Sequence, residues 1–218
     1  MRRLIAASIL FFLTGPSLLR AEAYTDAKVK KMDGTVMVQK ADGSPAFALQ
    51  TGSVVEKGDV VTCYDKSWVI FKTHRGDEIG LDGDTVVGLD ELYQEGPDRD
   101  VRLILQRGTL YLKANDSSSR QSFFEINAGS LVASLEDSQS ILSYDPSQTH
   151  FQAQFIRGKI RVIDKDGEHP LTVEGSIRDW KNNSLVQTGD PDPMDPLQIT
   201  NFERFFNGDP LYQPTPTY

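Results

Sequence analysis

From Lys28 to Trp180 the apolar residues come in short runs, each closed by residues that favour a turn. The runs include Val36-Met37-Val38, Trp68-Val69-Ile70-Phe71, Thr85-Val86-Val87 and Val101-Arg102-Leu103-Ile104-Leu105. Thr109-Leu110-Tyr111-Leu112, Phe123-Phe124-Glu125-Ile126 and Ile160-Arg161-Val162-Ile163 continue the series. Between them stand Asp42-Gly43, Lys57-Gly58-Asp59, Arg75-Gly76-Asp77, Asp82-Gly83-Asp84, Asp145-Pro146 and Asp166-Gly167, all good turn formers. No stretch here keeps a 3.6-residue period for three turns, so the pattern predicts an all-β domain.

A glycine, a small or polar residue and an aliphatic one recur along the same region: Gly34-Thr35-Val36, Gly52-Ser53-Val54, Gly108-Thr109-Leu110, Gly129-Ser130-Leu131, Gly158-Lys159-Ile160 and Gly175-Ser176-Ile177. Each glycine is read as a corner with positive φ from which a strand starts. The intervals of 18, 56, 21, 29 and 17 residues lie near the period of a β-solenoid, if the longest hides about three units. A β-sandwich, with turn signals every ~8 to 12 residues, remains the alternative on this pattern.

The two ends differ from the middle. Arg2 and Arg3, an apolar run from Leu4 to Leu13, the breaker Gly15-Pro16 and Ala21-Glu22-Ala23 have the layout of a secretory signal peptide cleaved after Ala23. At the other end, Gly189-Asp190-Pro191-Asp192-Pro193-Met194-Asp195-Pro196 reads as an extended linker. Asp195 then caps a short helix with Pro196 at its first position, Gln198 completes a capping box and Gly208 ends the helix. Ile199, Phe202 and Phe206 form its apolar face. The expected organisation is a signal peptide over 1–23, a β domain over 24–180, a Pro/Asp-rich linker over 181–196, and a short helix and tail over 197–218.

Charge narrows the partners. The 218-residue chain has 31 acidic against 23 basic residues and a formal charge of −8. Cleavage removes Arg2, Arg3, Arg20 and Glu22 and takes the charge to −10. Such a balance argues against nucleic acid and against anionic membrane surfaces. No stretch after the leader is long and apolar enough to span a bilayer. The sole cysteine, Cys63, excludes an internal disulfide and sits in a strand-like run, as a small buried hydrophobe would.

Catalytic and metal-binding patterns are sparse. His74, His150 and His169 have no zinc-ligand spacing, and neither a nucleophile elbow nor a phosphate-cradling glycine loop is present. Asp77, Glu78, Asp82 and Asp84 are the densest acidic group, yet their spacing is that of tight turns and not of a calcium loop. The sequence thus predicts no enzyme, no cofactor and no metal.

The segment Leu49-Gln50-Thr51-Gly52-Ser53-Val54-Val55-Glu56-Lys57-Gly58-Asp59-Val60-Val61-Thr62 resembles the core of the FecR protein domain. Ser67 and the strand after it, Gly76-Asp77-Glu78-Ile79-Gly80-Leu81, Asp84-Thr85-Val86-Val87-Gly88-Leu89 and the run from Val101 into Gly108-Thr109-Leu110 extend the likeness, which covers roughly Lys28 to Val173. The resemblance implies a twisted, β-helix-like, non-catalytic domain on the periplasmic or outer side of a bacterial membrane. Well-known members receive a signal from an outer-membrane transporter within a transmembrane anti-sigma regulator. Here an export signal stands where that regulator's cytoplasmic helical segment would be. Phe124-Glu125-Ile126-Asn127-Ala128-Gly129-Ser130-Leu131 also departs from the Thr-Pro and Gly-Thr that many members carry.

The expected function is therefore binding, to an envelope protein, or alternatively to envelope polysaccharide or peptidoglycan. An enzyme acting on polysaccharide would need two or three carboxylates facing one groove. Candidate partner-binding residues are Phe123 and Phe124, adjacent residues that must face opposite ways, and Ile199, Phe202 and Phe206. That helix face serves either as a cap folded back on its own domain or as a docking helix.

Overall fold

A computed structural model describes residues 26–93, 100–115, 123–186 and 189–209. The segment over 1–23 that the sequence predicts to be a signal peptide, and the chain beyond Asp209, lie outside the described residues. The domain is all-β with one short C-terminal helix. Its strands are β1 (Asp26–Asp33), β2 (Val36–Gln39), β3 (Phe47–Ala48), β4 (Val54–Glu56), β5 (Val60–Cys63), β6 (Trp68–Thr73), β7 (Glu78–Leu81) and β8 (Thr85–Tyr93). There follow β9 (Asp100–Lys113), β10 (Phe123–Ala128), β11 (Leu131–Asp145), β12 (His150–Asp164), β13 (Gly167–Leu171), β14 (Ser176–Lys181), β15 (Ser184–Leu185) and β16 (Asp192–Pro193). Helix α1 spans Pro196–Asn207.

All sixteen strands belong to one open sheet, and three long strands bend so that the sheet has two halves. One half runs β3-β2-β5-β8, through the start of β9, to β10, the start of β11, the end of β12 and β13. The other runs β4-β1-β6-β7, through the end of β9, to the end of β11, the start of β12 and β14. The bends coincide with irregularities: Arg107 opposite Val86, and the break in β11 between Glu136 and Gln139.

Stacked coils would pair in parallel. Among the described pairings only β9 with β10 is parallel, and the rest are antiparallel. The solenoid-like period therefore reflects hairpin ends and bulges, not coil corners. All six glycines of the recurring motif do have positive φ, from +62° to +99°. At Gly158, φ +99°, an added Cβ would stand 2.4 Å from the Asp137 carbonyl oxygen, so the bend needs both the conformation and the missing side chain.

Alternation explains the core. Val36, Val38, Val61, Cys63, Val87 and Leu103 of the first half share one apolar cluster with Val29, Val69, Phe71, Ile79, Leu110 and Leu112 of the second. Phe124, Phe151, Phe155 and Trp180 are also fully buried there, and Trp180 meets Phe151 edge to face at 5.6 Å.

Helix α1 packs on the outer face of the second half. It starts and stops as its residues dictate: Asp195 Oδ1 accepts from Leu197 N at 2.8 Å, Gln198 Oε1 accepts from Asp195 N at 2.9 Å, and Gly208 takes φ +63°. Asp195→Ala is expected to cost about 1 kcal/mol, read as a shift of the urea midpoint with unchanged slope.

Candidate functional surface

The residues that carry the family resemblance are occupied in holding turns. Asp59, 1% exposed, accepts from Glu56 N at 2.8 Å and from Lys40 Nζ at 2.8 Å. Ser67 Oγ accepts from Thr35 N at 2.8 Å and fills the space above Gly34. Thr85 and Gly108-Thr109, far apart in sequence, meet at the bend in β9, where Thr85 Oγ1 accepts from Thr109 N at 2.9 Å.

The acidic group is spread over separate tasks. Asp77 is buried and accepts from Asn115 N at 2.8 Å, Glu78 pairs with Lys30, and Asp82 is buried and accepts from Gly83 N at 2.8 Å. Asp84 is exposed, with φ +58°. Among the described residues no group of three or more His, Cys, Asp or Glu is placed to hold a metal. Cys63 is buried. Burial, followed by the charges of Asp82 and Asp84, pushes its thiol up to about 12, which keeps it protonated and unreactive.

Each histidine stands beside one carboxylate in a different place. His74 is 2.9 Å from Asp26, His150 is 3.1 Å from Asp179 and His169 is 3.0 Å from Asp164. The Asp164 carboxylate is fully buried and also accepts from Asp166 N at 2.7 Å, Gly167 N at 3.0 Å and Leu185 N at 3.2 Å. Burial alone would raise its pKa. His169 and the two turn amides outweigh burial and hold the carboxyl below its ordinary range. A depressed carboxylate stabilises the fold above its unfolded pKa, and that stability is lost as pH falls through the folded value. Acidification from pH 5 to pH 3 should therefore lower the melting temperature of the native protein more than that of Asp164→Asn, which should start lower at pH 7.

The predicted partner-binding residues fall in two groups that are not brought together, Phe123 and Phe124 on β10 and Ile199, Phe202 and Phe206 on α1. Phe124, Phe202 and Phe206 are buried, the first in the main core and the others under α1. Phe123 is half-buried on the outer face of the first half, and Ile199 is 36% exposed on the helix over the second. The helix face that packs inward is Phe202, Phe205 and Phe206, with Ile199 at its margin. Phe205 is absent from the 199/202/206 spacing, and an i, i+3, i+4 reading from Phe202 finds it.

Beneath α1 lies one cross-strand row, Ile70, Gly80, Tyr111 and Ile141, on β6, β7, β9 and β11. Phe205 stacks on Tyr111 with centroids 4.2 Å apart and planes 6° apart, and meets Trp68 edge to face at 6.0 Å. A Cβ on Gly80 would stand 2.1 Å from Phe205 Cε1. Gly80 is thus the socket of the helix.

Beside the helix C-terminus a second row crosses the same face: Val54, Lys28, Lys72, Glu78, Lys113 and Gln139. It floors two clefts of about 570 and 370 Å³, both lined by Lys30 and Lys72. No motif marks these lysines. The only sequence sign is Lys28, Lys30 and Lys31 on one strand of an acidic chain.

No family model matches the chain, and no curated protein matches it. Its fold resembles two crystal structures of a "putative anti-sigma factor" from Parabacteroides distasonis ATCC 8503. They align with TM-scores of 0.51 and 0.52 at 11% and 10% identity. In each case the alignment covers 66% of this chain and 64% of the other, so this chain spans just under two thirds of that protein's length. What is common at this identity is the fold. Among the described residues, no helix is long and apolar enough to cross a membrane.

Proposed function

We propose that the protein is an exported, FecR-like, non-enzymatic module of the bacterial cell envelope that works by protein–protein contact or signal reception. The observation that carries this reading is the fold it has in common with the Parabacteroides distasonis protein, whose name describes a regulator. The engagement of its carboxylates and histidines in turns and ion pairs supports contact over turnover. Export rests on the leader-like start of the chain. Binding of polysaccharide or peptidoglycan has less support, because sugar-stacking platforms need exposed rings. Here Trp180, Phe124, Phe151 and Phe155 are core residues, Tyr111 is covered by the helix, and the exposed rings Phe47 and Tyr64 stand apart, on β3 and in the turn after β5.

The test is a photo-crosslinking residue placed at Phe123 or at Ile199 in living cells. The reading expects protein whose first residue is Tyr24, in the exported fraction, with a discrete adduct to an envelope protein. A chain that keeps its leader in the cytoplasm, or that yields no protein adduct from either position, would overturn it.

A further inference from the structure

Lys28 and Lys72 face each other on β1 and β6 as direct cross-strand partners. Like charges placed so are destabilising. Among the described residues neither lysine has a carboxylate in an ion pair. The neighbouring cations are engaged: Lys30 with Glu78, Lys113 with Glu203 at 3.0 Å, and Lys31 Nζ with the Asn207 carbonyl at 2.6 Å. The pair sits in the larger cleft; the four lysines lining the two clefts are set against Asp26 and Glu78 in the lining, Glu78 being cross-strand from Lys72, and against Glu203 on Lys113. On a chain of formal charge −8, that arrangement creates a local positive field and leaves a repulsion that an anion would relieve.

We propose that the Lys28–Lys72 pair, flanked by Lys30 and Lys113, is the docking site for an extended acidic segment of a protein partner. This rests on the reading of the chain as a binding module. Strands lie about 4.8 Å apart, so Lys28 to Lys113 spans roughly 14 Å, the length of about four extended residues. Carboxylates on every second residue of such a segment point the same way, and those at its two ends reach the Lys28–Lys72 pair and Lys113, on either side of Glu78. Charge complementarity favours this occupant. An acidic sugar polymer fits less well, since the one Phe, Tyr or Trp ring lining the clefts, Phe206, is 2% exposed.

The test is fluorescence anisotropy of labelled octaglutamate with the purified protein, with K28Q/K72Q, and with K57Q/K165Q as a control of equal charge change. The proposal expects salt-dependent binding that falls about tenfold in K28Q/K72Q and little in the control. It also expects K28Q/K72Q to melt no lower than the native protein, because removing the two charges relieves repulsion. Equal losses in both variants, retained binding in K28Q/K72Q, a lower melting temperature in that variant, or tighter binding of polygalacturonate than of octaglutamate would each overturn it. Octaglutamate reports on the clefts alone, whereas the crosslinking reports on the binding module, so either idea can fail without the other.

Discussion

Phe205→Ala should lower the unfolding free energy by about 3–5 kcal/mol, the largest loss expected from any side chain of α1. The ring fills the space over Gly80, stacks on Tyr111 and touches Trp68, so its removal leaves a void that rigid strands cannot close. The complementary change tests the socket itself. Gly80 has no positive φ, and alanine there meets no backbone strain, only the Phe205 ring. Gly80→Ala alone should therefore cost about 1–3 kcal/mol through overpacking. Combined with Phe205→Ala, the added methyl enters vacated space, and the double variant should be no less stable than Phe205→Ala alone. Urea unfolding of the four proteins reads the cycle. Strictly additive losses would mean that Phe205 and Gly80 do not share one contact.

Gly158→Ala is the second large effect. The new Cβ would press on the Asp137 carbonyl oxygen at 2.4 Å and on Ser138 Cα at 2.6 Å, both backbone atoms, at a residue with φ +99°. No rotamer relieves such a contact, and the conformation is strained for any L side chain. A loss of about 3 kcal/mol should lower the melting temperature by roughly 6–12 °C for a chain of this size. Gly167→Ala, where an added Cβ meets nothing within 4 Å, separates the two causes because φ there is +135°. It should cost markedly less. An equal drop in both variants would assign the whole effect to backbone strain.

Local chemistry was readable from the residues. The helix ends follow from Asp195, Pro196, Gln198 and Gly208, and the opposite facing of Phe123 and Phe124 follows from the two-residue period of a strand. The long-range arrangement was not, and the middle of β11 gives the reason. Ser138-Gln139-Ser140 interrupts the apolar alternation there, although all three residues are buried. A break of that kind reads as a loop in sequence, whereas in the fold it is the bend at which a strand leaves one half of the sheet for the other. Parallel pairing of β9 with β10 leaves no local trace either, because it depends on which strands β11 places side by side. The lysine clefts escaped for the same reason: Lys28, Lys72 and Lys113 become neighbours only through strand register.

Helix α1 follows every strand that it covers, and that order governs how the molecule is made. Ile70, Tyr111 and Ile141 are synthesised long before Phe202, Phe205 and Phe206, the residues that cover them. During synthesis the nascent sheet presents that apolar row bare, and a chain released before residue 206 never hides it. Premature termination within the last turns of α1 therefore yields not a slightly shorter protein but one with an adhesive face, the kind of species that aggregates or is held by chaperones.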